Sequence, residues 1–154
     1  MKRSKTSAGL LMLRRRHGKL EVLLVHPGGP FWRNKDEGAW TIPKGEVAES
    51  EDLLRRATTE FQEELGFTPS AETWIDLGHV KQKGGKIVRV WAFAGDLPTD
   101  FKLRSNTFEL EWPPRSGRKQ RFPEADRAEF FSIDEARSKL NPAQTVLLDR
   151  LVEK

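Results

Sequence analysis

The stretch that decides the reading is residues 45–67, GEVAESEDLLRRATTEFQEELGF. Leu53, Leu54, Ala57, Phe61 and Leu65 recur there at helical spacing, which predicts a helix over residues 50–65 with one buried stripe. Ser50 stands where its side chain can cap the first turn. Glu51 and Asp52 complement the positive end of the helix dipole. Gly66 provides a natural stop, and Pro69 forbids continuation. Beside the stripe stand Glu60, Glu63 and Glu64, at i, i+3 and i+4, within an arc of roughly 100°. Like charges so spaced repel by about 0.2–0.5 kcal/mol per pair on an isolated helix. Arg56 can relieve Glu60, but neither Glu63 nor Glu64 has a basic residue four positions onward. Three glutamates on a helix are commonly just a solvated face. Here they flank a buried stripe and follow a glycine-rich loop carrying Lys44, which favours a site for a hard cation that bridges carboxylate to phosphate.

On the N-terminal side, residues 1–6 are polar and basic, a tail ahead of one domain over residues 7–154. Two apolar runs, 8–13 and 20–25, flank Arg14-Arg15-Arg16-His17-Gly18-Lys19 and predict a hairpin. Residues 26–45 are rich in turn formers, and a loop this long inside a domain usually has a function. Its Trp32 is a candidate for stacking on a base, whereas Trp40 is better suited to pinning the loop to the core. On the C-terminal side, 73–80 and 87–94 have strand character around Lys83-Gly84-Gly85-Lys86. Residues 108–112 suggest another strand, 115–121 a basic loop and 128–132 a short strand. Residues 134–154 are mostly helical, interrupted at Asn141-Pro142. Strands interspersed with helices predict an α/β architecture around a mixed sheet.

Composition narrows the function. The chain has 154 residues, 36% hydrophobic and 32% charged, which is ordinary for a globular protein. It has no cysteine, so disulfides and thiolate metal sites are excluded, and a reducing cytoplasmic location is expected. No apolar run is long enough to span a bilayer, so no membrane partner is expected. A formal charge of +4 favours a polyanionic partner, small or large. Strand alternation divides Lys81, Lys83, Lys86 and Arg89 between faces; Arg89 is a candidate phosphate contact. His79 has no second histidine at metal spacing and is taken as structural.

The stretch resembles the Nudix box: Gly, five residues, Glu, seven residues, then Arg-Glu-apolar-any-Glu-Glu-any-Gly-apolar. Gly45, Glu51, Glu60, Phe61, Glu63, Glu64, Gly66 and Phe67 occupy those positions, and Thr59 stands where the arginine belongs. So many fixed residues at fixed spacing make a specific signal. Trp40-Thr41-Ile42-Pro43-Lys44-Gly45 is similar to the lead-in segment of several Nudix subfamilies, and residues 130–136 to the closing strand and helix start. The resemblance implies an α/β/α sandwich and Mg²⁺- or Mn²⁺-dependent hydrolysis of a phosphoanhydride in a nucleoside polyphosphate-type substrate. By the same resemblance Glu60 and Glu64 are the foremost metal ligands. Glu63 completes the shell or acts through water, and the carbonyl of Lys44 contributes. Glu63, Glu64 and Glu124 are the candidate catalytic acids, the last because some members take their base from a later loop. Lys44 is also a candidate for the substrate phosphate.

Thr59 puts the order of the site in question, because the family's arginine pairs with the box glutamates. Arg55, on the same ridge as Thr59 and Glu63, is the expected substitute. Two other functions compete with the enzyme. A catalytically weak Nudix-fold sensor of nucleotide or RNA draws support from Thr59, and a nucleic-acid-binding protein rests on charge alone. The expected partner is a small nucleotide, with capped RNA less favoured, and the protein a monomer or homodimer.

Overall fold

A computed structural model of the chain describes residues 5–154. Residues 1–4 of the expected tail lie outside the described residues; Lys5 is exposed, and Thr6 already opens the first strand. Strands β1 (Thr6–Arg16) and β2 (Lys19–Pro27) form the expected hairpin. Its two-residue turn, His17-Gly18, has φ of 53° and 76°, and positive φ at both positions matches the twist of paired strands. The other edge of β1 carries β5 (Ile87–Ala94), parallel, while β3 (Lys44–Glu46) pairs antiparallel with Ser7, Ala8 and Gly9 on the same edge as β2. With β4 (Ile75–Lys81) outside β5 and β8 (Ala125–Ser132) outside β2, the mixed sheet has six strands in the order β4-β5-β1-β2-β8, with β3 alongside β1.

Both faces of this sheet are covered, so its central strands are apolar at nearly every position. Ala8, Leu10 and Met12 of β1, with Leu23 and Val25 of β2, pack against Ala57, Phe61 and Leu65 of helix α1 (Leu53–Leu65). The alternate residues Leu11, Val22, Leu24, Val88 and Val90 face helices α2 (Ile133–Lys139) and α3 (Val146–Val152), through Ala136, Leu147, Leu148 and Leu151. The result is an α/β/α sandwich, and a 3-10 turn at Pro142–Gln144 makes the expected interruption between the last two helices. No helix among the described residues is long and apolar enough to cross a membrane.

Three elements differ from the sequence reading. The helix begins at Leu53, not at residue 50, because Asp52 is its cap: the Asp52 carboxylate accepts from the Arg55 N–H at 2.9 Å. Ser50, at φ 71°, belongs to the preceding turn, and Glu51 folds back to accept from the Ala48 N–H. The basic segment 115–121 is only partly loop, since β7 (Lys119–Pro123) pairs with β6 (Thr107–Glu111) in a separate two-stranded ribbon. No apolar alternation announces β7; opposite charges facing each other, Glu109 with Arg121 and Glu111 with Lys119, support it instead. The last strand starts at Ala125, three residues before the expected 128.

Candidate active site

A cavity of about 420 Å³ lies where β3, α1 and the foot of the β6–β7 ribbon meet. The strand supplies Lys44, Gly45 and Glu46, the helix Glu60, Glu63 and Glu64, and the ribbon's foot Asn106 and Glu124. Surface hollows of about 520 and 570 Å³ lie elsewhere, one lined by Leu13 and Ile75, the other by Gly78 and Arg150, and neither gathers acids. Chemistry rather than size selects the acidic cavity.

The box residues meet here because two backbones approach closely. A Cβ on Gly45 would lie 1.9 Å from Cδ of Glu60 and 2.2 Å from its Oε2, so the Glu60 carboxylate fills the space that any other residue would need. Gly66, at φ 89°, ends the helix in the left-handed conformation that glycine tolerates best. Between these points Ala57, Phe61 and Leu65 fix the helix's rotation about its axis, and so aim its acids at the cavity.

The arginine that pairs with these glutamates is Arg56 rather than the expected Arg55. The Arg56 guanidinium lies 2.6 Å from Glu60, 3.3 Å from Glu51 and 3.6 Å from Glu63. Arg55 is exposed and forms no side-chain ion pair among the described residues. Thr59 uses its hydroxyl to donate to the carbonyl of Arg55, a purely local bond. One long side chain, a turn before the vacated position, thus spans three acids of the motif.

Glu64 stands apart. Its Oε2 is buried and has no hydrogen-bond partner among the described residues. Burial, then the charge of Glu60, push its carboxyl up to about 8, and Lys44 opposes that without cancelling it. Lys44 is itself held below the usual lysine range by burial, with Glu64 the main counterweight. Glu124, on the cavity rim, is raised by desolvation and by Glu60 and Glu63. Its N–H donates to the carbonyl of Asn106 at 2.8 Å, and the Asn106 N–H donates to the carbonyl of Glu63 at 2.9 Å. Nothing in the local sequence singles out Asn106, which reaches the cavity through long-range packing, whereas Glu46 comes with its neighbours Lys44 and Gly45 on β3.

The remaining candidates lie outside. Arg89 pairs with Asp76 and stacks on Trp91, and it does not line the cavity. Trp32 also lies outside, under the ammonium of Lys35 at 5.3 Å. Trp40 pins the loop as expected, being 1% exposed and hydrogen-bonded to Asp36. His79 is exposed, and its carbonyl accepts from Arg150.

Among the described residues no three acids or histidines form a ready cage for a cation, and Arg56 takes up charge on Glu60 and Glu63 instead. The donor set nevertheless fits a hard divalent ion. All candidate ligands are oxygens, and one of them, on Glu64, is buried without the partner that burial demands.

The NUDIX domain family model matches residues 3–151. No curated protein matches the chain. Among solved structures, the Caenorhabditis elegans Ap4A hydrolase binary complex is similar at 22% identity and TM-score 0.69, over 96% of each chain. The NUDIX domain of Shewanella oneidensis NrtR complexed with ADP ribose is similar at 14% identity and TM-score 0.67, over 99% of this chain and 89% of that one. The MutT protein from Methanosarcina mazei Go1 follows at 21% identity and TM-score 0.60, over 99% and 95%.

Proposed function

The chain belongs to the NUDIX-domain family, and from that premise we propose that it is a Mg²⁺- or Mn²⁺-dependent hydrolase of a phosphoanhydride bond in a nucleoside polyphosphate or dinucleoside polyphosphate. The observation that carries this reading is the buried, unpartnered oxygen of Glu64 in a cavity shared with Glu60, Glu63 and Lys44. Leaving a buried polar atom unpaired costs about 1–3 kcal/mol, more for a charged group, so a role as a cation ligand explains its placement better than structural need does.

Glu60 and Glu64 would hold the ion, with Glu63 and the carbonyl of Lys44 completing its surroundings. When bound, the ion neutralises phosphate charge and makes water a better nucleophile. Lys44 reaches a substrate phosphate as a point charge, and its partial burial strengthens that contact. Glu124 takes the proton from the attacking water, because a raised carboxyl on the rim is a better base near neutral pH than an ordinary one. Arg56 keeps Glu60 and Glu63 oriented from the side away from substrate. Arg89 has no role in this reading.

The test is a panel of nucleoside triphosphates, diadenosine tetraphosphate and ADP-ribose, each with Mg²⁺ or Mn²⁺, followed by phosphate or nucleotide release. Glu64→Gln is expected to lower turnover by on the order of 100-fold or more, the scale of losing one preorganised charge-stabilising group. A second reading, a nucleotide sensor, is favoured by Thr59 and by the grip of Arg56 on two of the acids. Tight nucleotide binding with no turnover of any compound would establish that reading in place of the first.

A further inference from the structure

Among the described residues, His26 and Gln144 are polar side chains buried outside the cavity. His26 fastens the loop after β2, its ring nitrogens lying 2.8 Å from Asp126 and 2.7 Å from the carbonyl of Lys35. Gln144 is wholly buried in the 3-10 turn ahead of α3, and it reaches the segment that delivers Lys44 to the cavity. Beyond Leu13 and Val22 the hairpin strands part, and that segment enters between them. Thr41 exchanges backbone bonds with Val25 of β2 at 2.9 Å each way, and Lys44 pairs with Gly9 of β1. Ile42 lies at the crossing from one strand to the other, and its N–H is met by neither. It donates instead to Oε1 of Gln144 at 3.0 Å. Pro43 has no N–H, so between Thr41 and Lys44 the backbone offers no other donor. Nε2 of Gln144 donates to Thr41 Oγ1 at 3.0 Å and to Gln82 Oε1 at 3.1 Å. Turning the amide over would set its NH2 against the Ile42 N–H, donor against donor, so its orientation is fixed. The neighbouring strand leaves little slack. A Cβ on Gly9 would lie 2.6 Å from the Pro43 carbonyl oxygen and 3.0 Å from Cβ of Lys44.

We propose that Gln144 is a positioning residue of the site, setting through Ile42 and Pro43 where the Lys44 ammonium meets a substrate phosphate. The phosphate contact of Lys44 belongs to the reading above, on which this rests. Lys44 follows Ile42 by two residues, and the ring of Pro43 fixes φ between them, so a displacement of Ile42 is carried to Lys44 with little loss. Packing alone does not call for an amide here. An apolar side chain of similar size would fill the space without needing three well-placed partners. What the amide adds is direction, since a fully bonded polar network in a dry interior holds one geometry more strictly than apolar contact does.

The test is a double-mutant cycle between Gln144 and Lys44, read on the full chain as calorimetric affinity for ATP with Mg²⁺. All variants are compared at a temperature where circular dichroism shows each to be folded. Gln144→Met is expected to weaken ATP binding about tenfold alone, and by less than about twofold in the Lys44→Met background. An equal loss in both backgrounds would overturn the proposal, because the amide would then act independently of the lysine. So would ATP affinity left unchanged by Lys44→Met. Should Gln144→Met not fold, Gln144→Asn, which keeps an amide but shortens its reach by a methylene, enters the cycle with the same expectation. Hydrogen exchange supplies a readout without ligand. The Ile42 amide of the wild type should exchange as slowly as that of Leu24 in β2, and at least tenfold faster in the Gln144 variant that folds. Wild-type exchange at Ile42 as fast as at the exposed Lys35 would overturn the proposal. If the wild type binds ATP but hydrolyses no compound, the hydrolase reading falls, while the cycle still decides the role of Gln144.

Discussion

The foot of the β6–β7 ribbon and its tip are built by opposite means. At the foot, five acids line a partly enclosed cavity, and local packing sets the helix ones: Glu60 against Gly45, Glu63 and Glu60 against Arg56, Glu64 inside. At the tip, cations stand in solvent with little fixing their side chains. A cavity of that kind is sensitive to displacements of an ångström, whereas an exposed arm bearing charges of both signs is sensitive to their balance and hardly to shape. Geometry governs the first and electrostatics the second, so substitutions should divide in the same way.

The sharpest way to break this contrast is Gly45→Ala. A methyl group at 1.9 Å from Cδ must push the Glu60 carboxylate aside, and misplacement on the scale of 1 Å is expected to lower turnover by on the order of 100-fold. Activity within a factor of two of wild type would mean that the acids are not held to a fixed geometry. Next comes Arg56→Ala, which removes the cation that joins Glu51, Glu60 and Glu63. Loss of an orienting partner of a ligand is expected to weaken Mn²⁺ binding by about 10-fold, measured calorimetrically or by electron paramagnetic resonance. Thr59→Arg in that background should restore part of the affinity, and unchanged affinity in Arg56→Ala would reduce this residue to a simple counter-charge.

The smallest effect concerns pH. Glu64 has its folded-state value raised from 4.5 to about 8, so between those values the folded chain binds more protons than the unfolded one. Stability from this group is therefore full below about 4.5, falls as pH rises and is gone above about 8. In chelator, Tm should decline across that window by a few degrees more in wild type than in Glu64→Gln, with divalent metal removing the difference. Parallel profiles for the two proteins would show that Glu64 is not buried as described.

Much of the foot was legible in the sequence, because fixed spacing on a helix is itself geometry. Once Ala57, Phe61 and Leu65 face the sheet, Glu60, Glu63 and Glu64 must share the adjoining flank. Arg55 and Arg56 could not be separated that way, since both lie near the acids and only the path of a long side chain distinguishes them. The cap was misplaced for a similar reason: Ser50 and Asp52 are both good caps, and the turn that Glu51 makes with Ala48 decides between them. The tip was illegible because β7 lacks a period-two apolar pattern and acquires strand form only from its partner. Asn106 became visible only when the chain closed on itself.

One pair of backbone bonds couples the two regions. The carbonyl of Glu63 accepts from Asn106, whose own carbonyl accepts from Glu124, so the last turn of α1 and both roots of the ribbon are joined by main chain alone. The ribbon is therefore anchored at the rim of the cavity by its own main chain. A substitution that shifts its roots would alter the relative setting of Glu63 and Glu124 without any side chain in between.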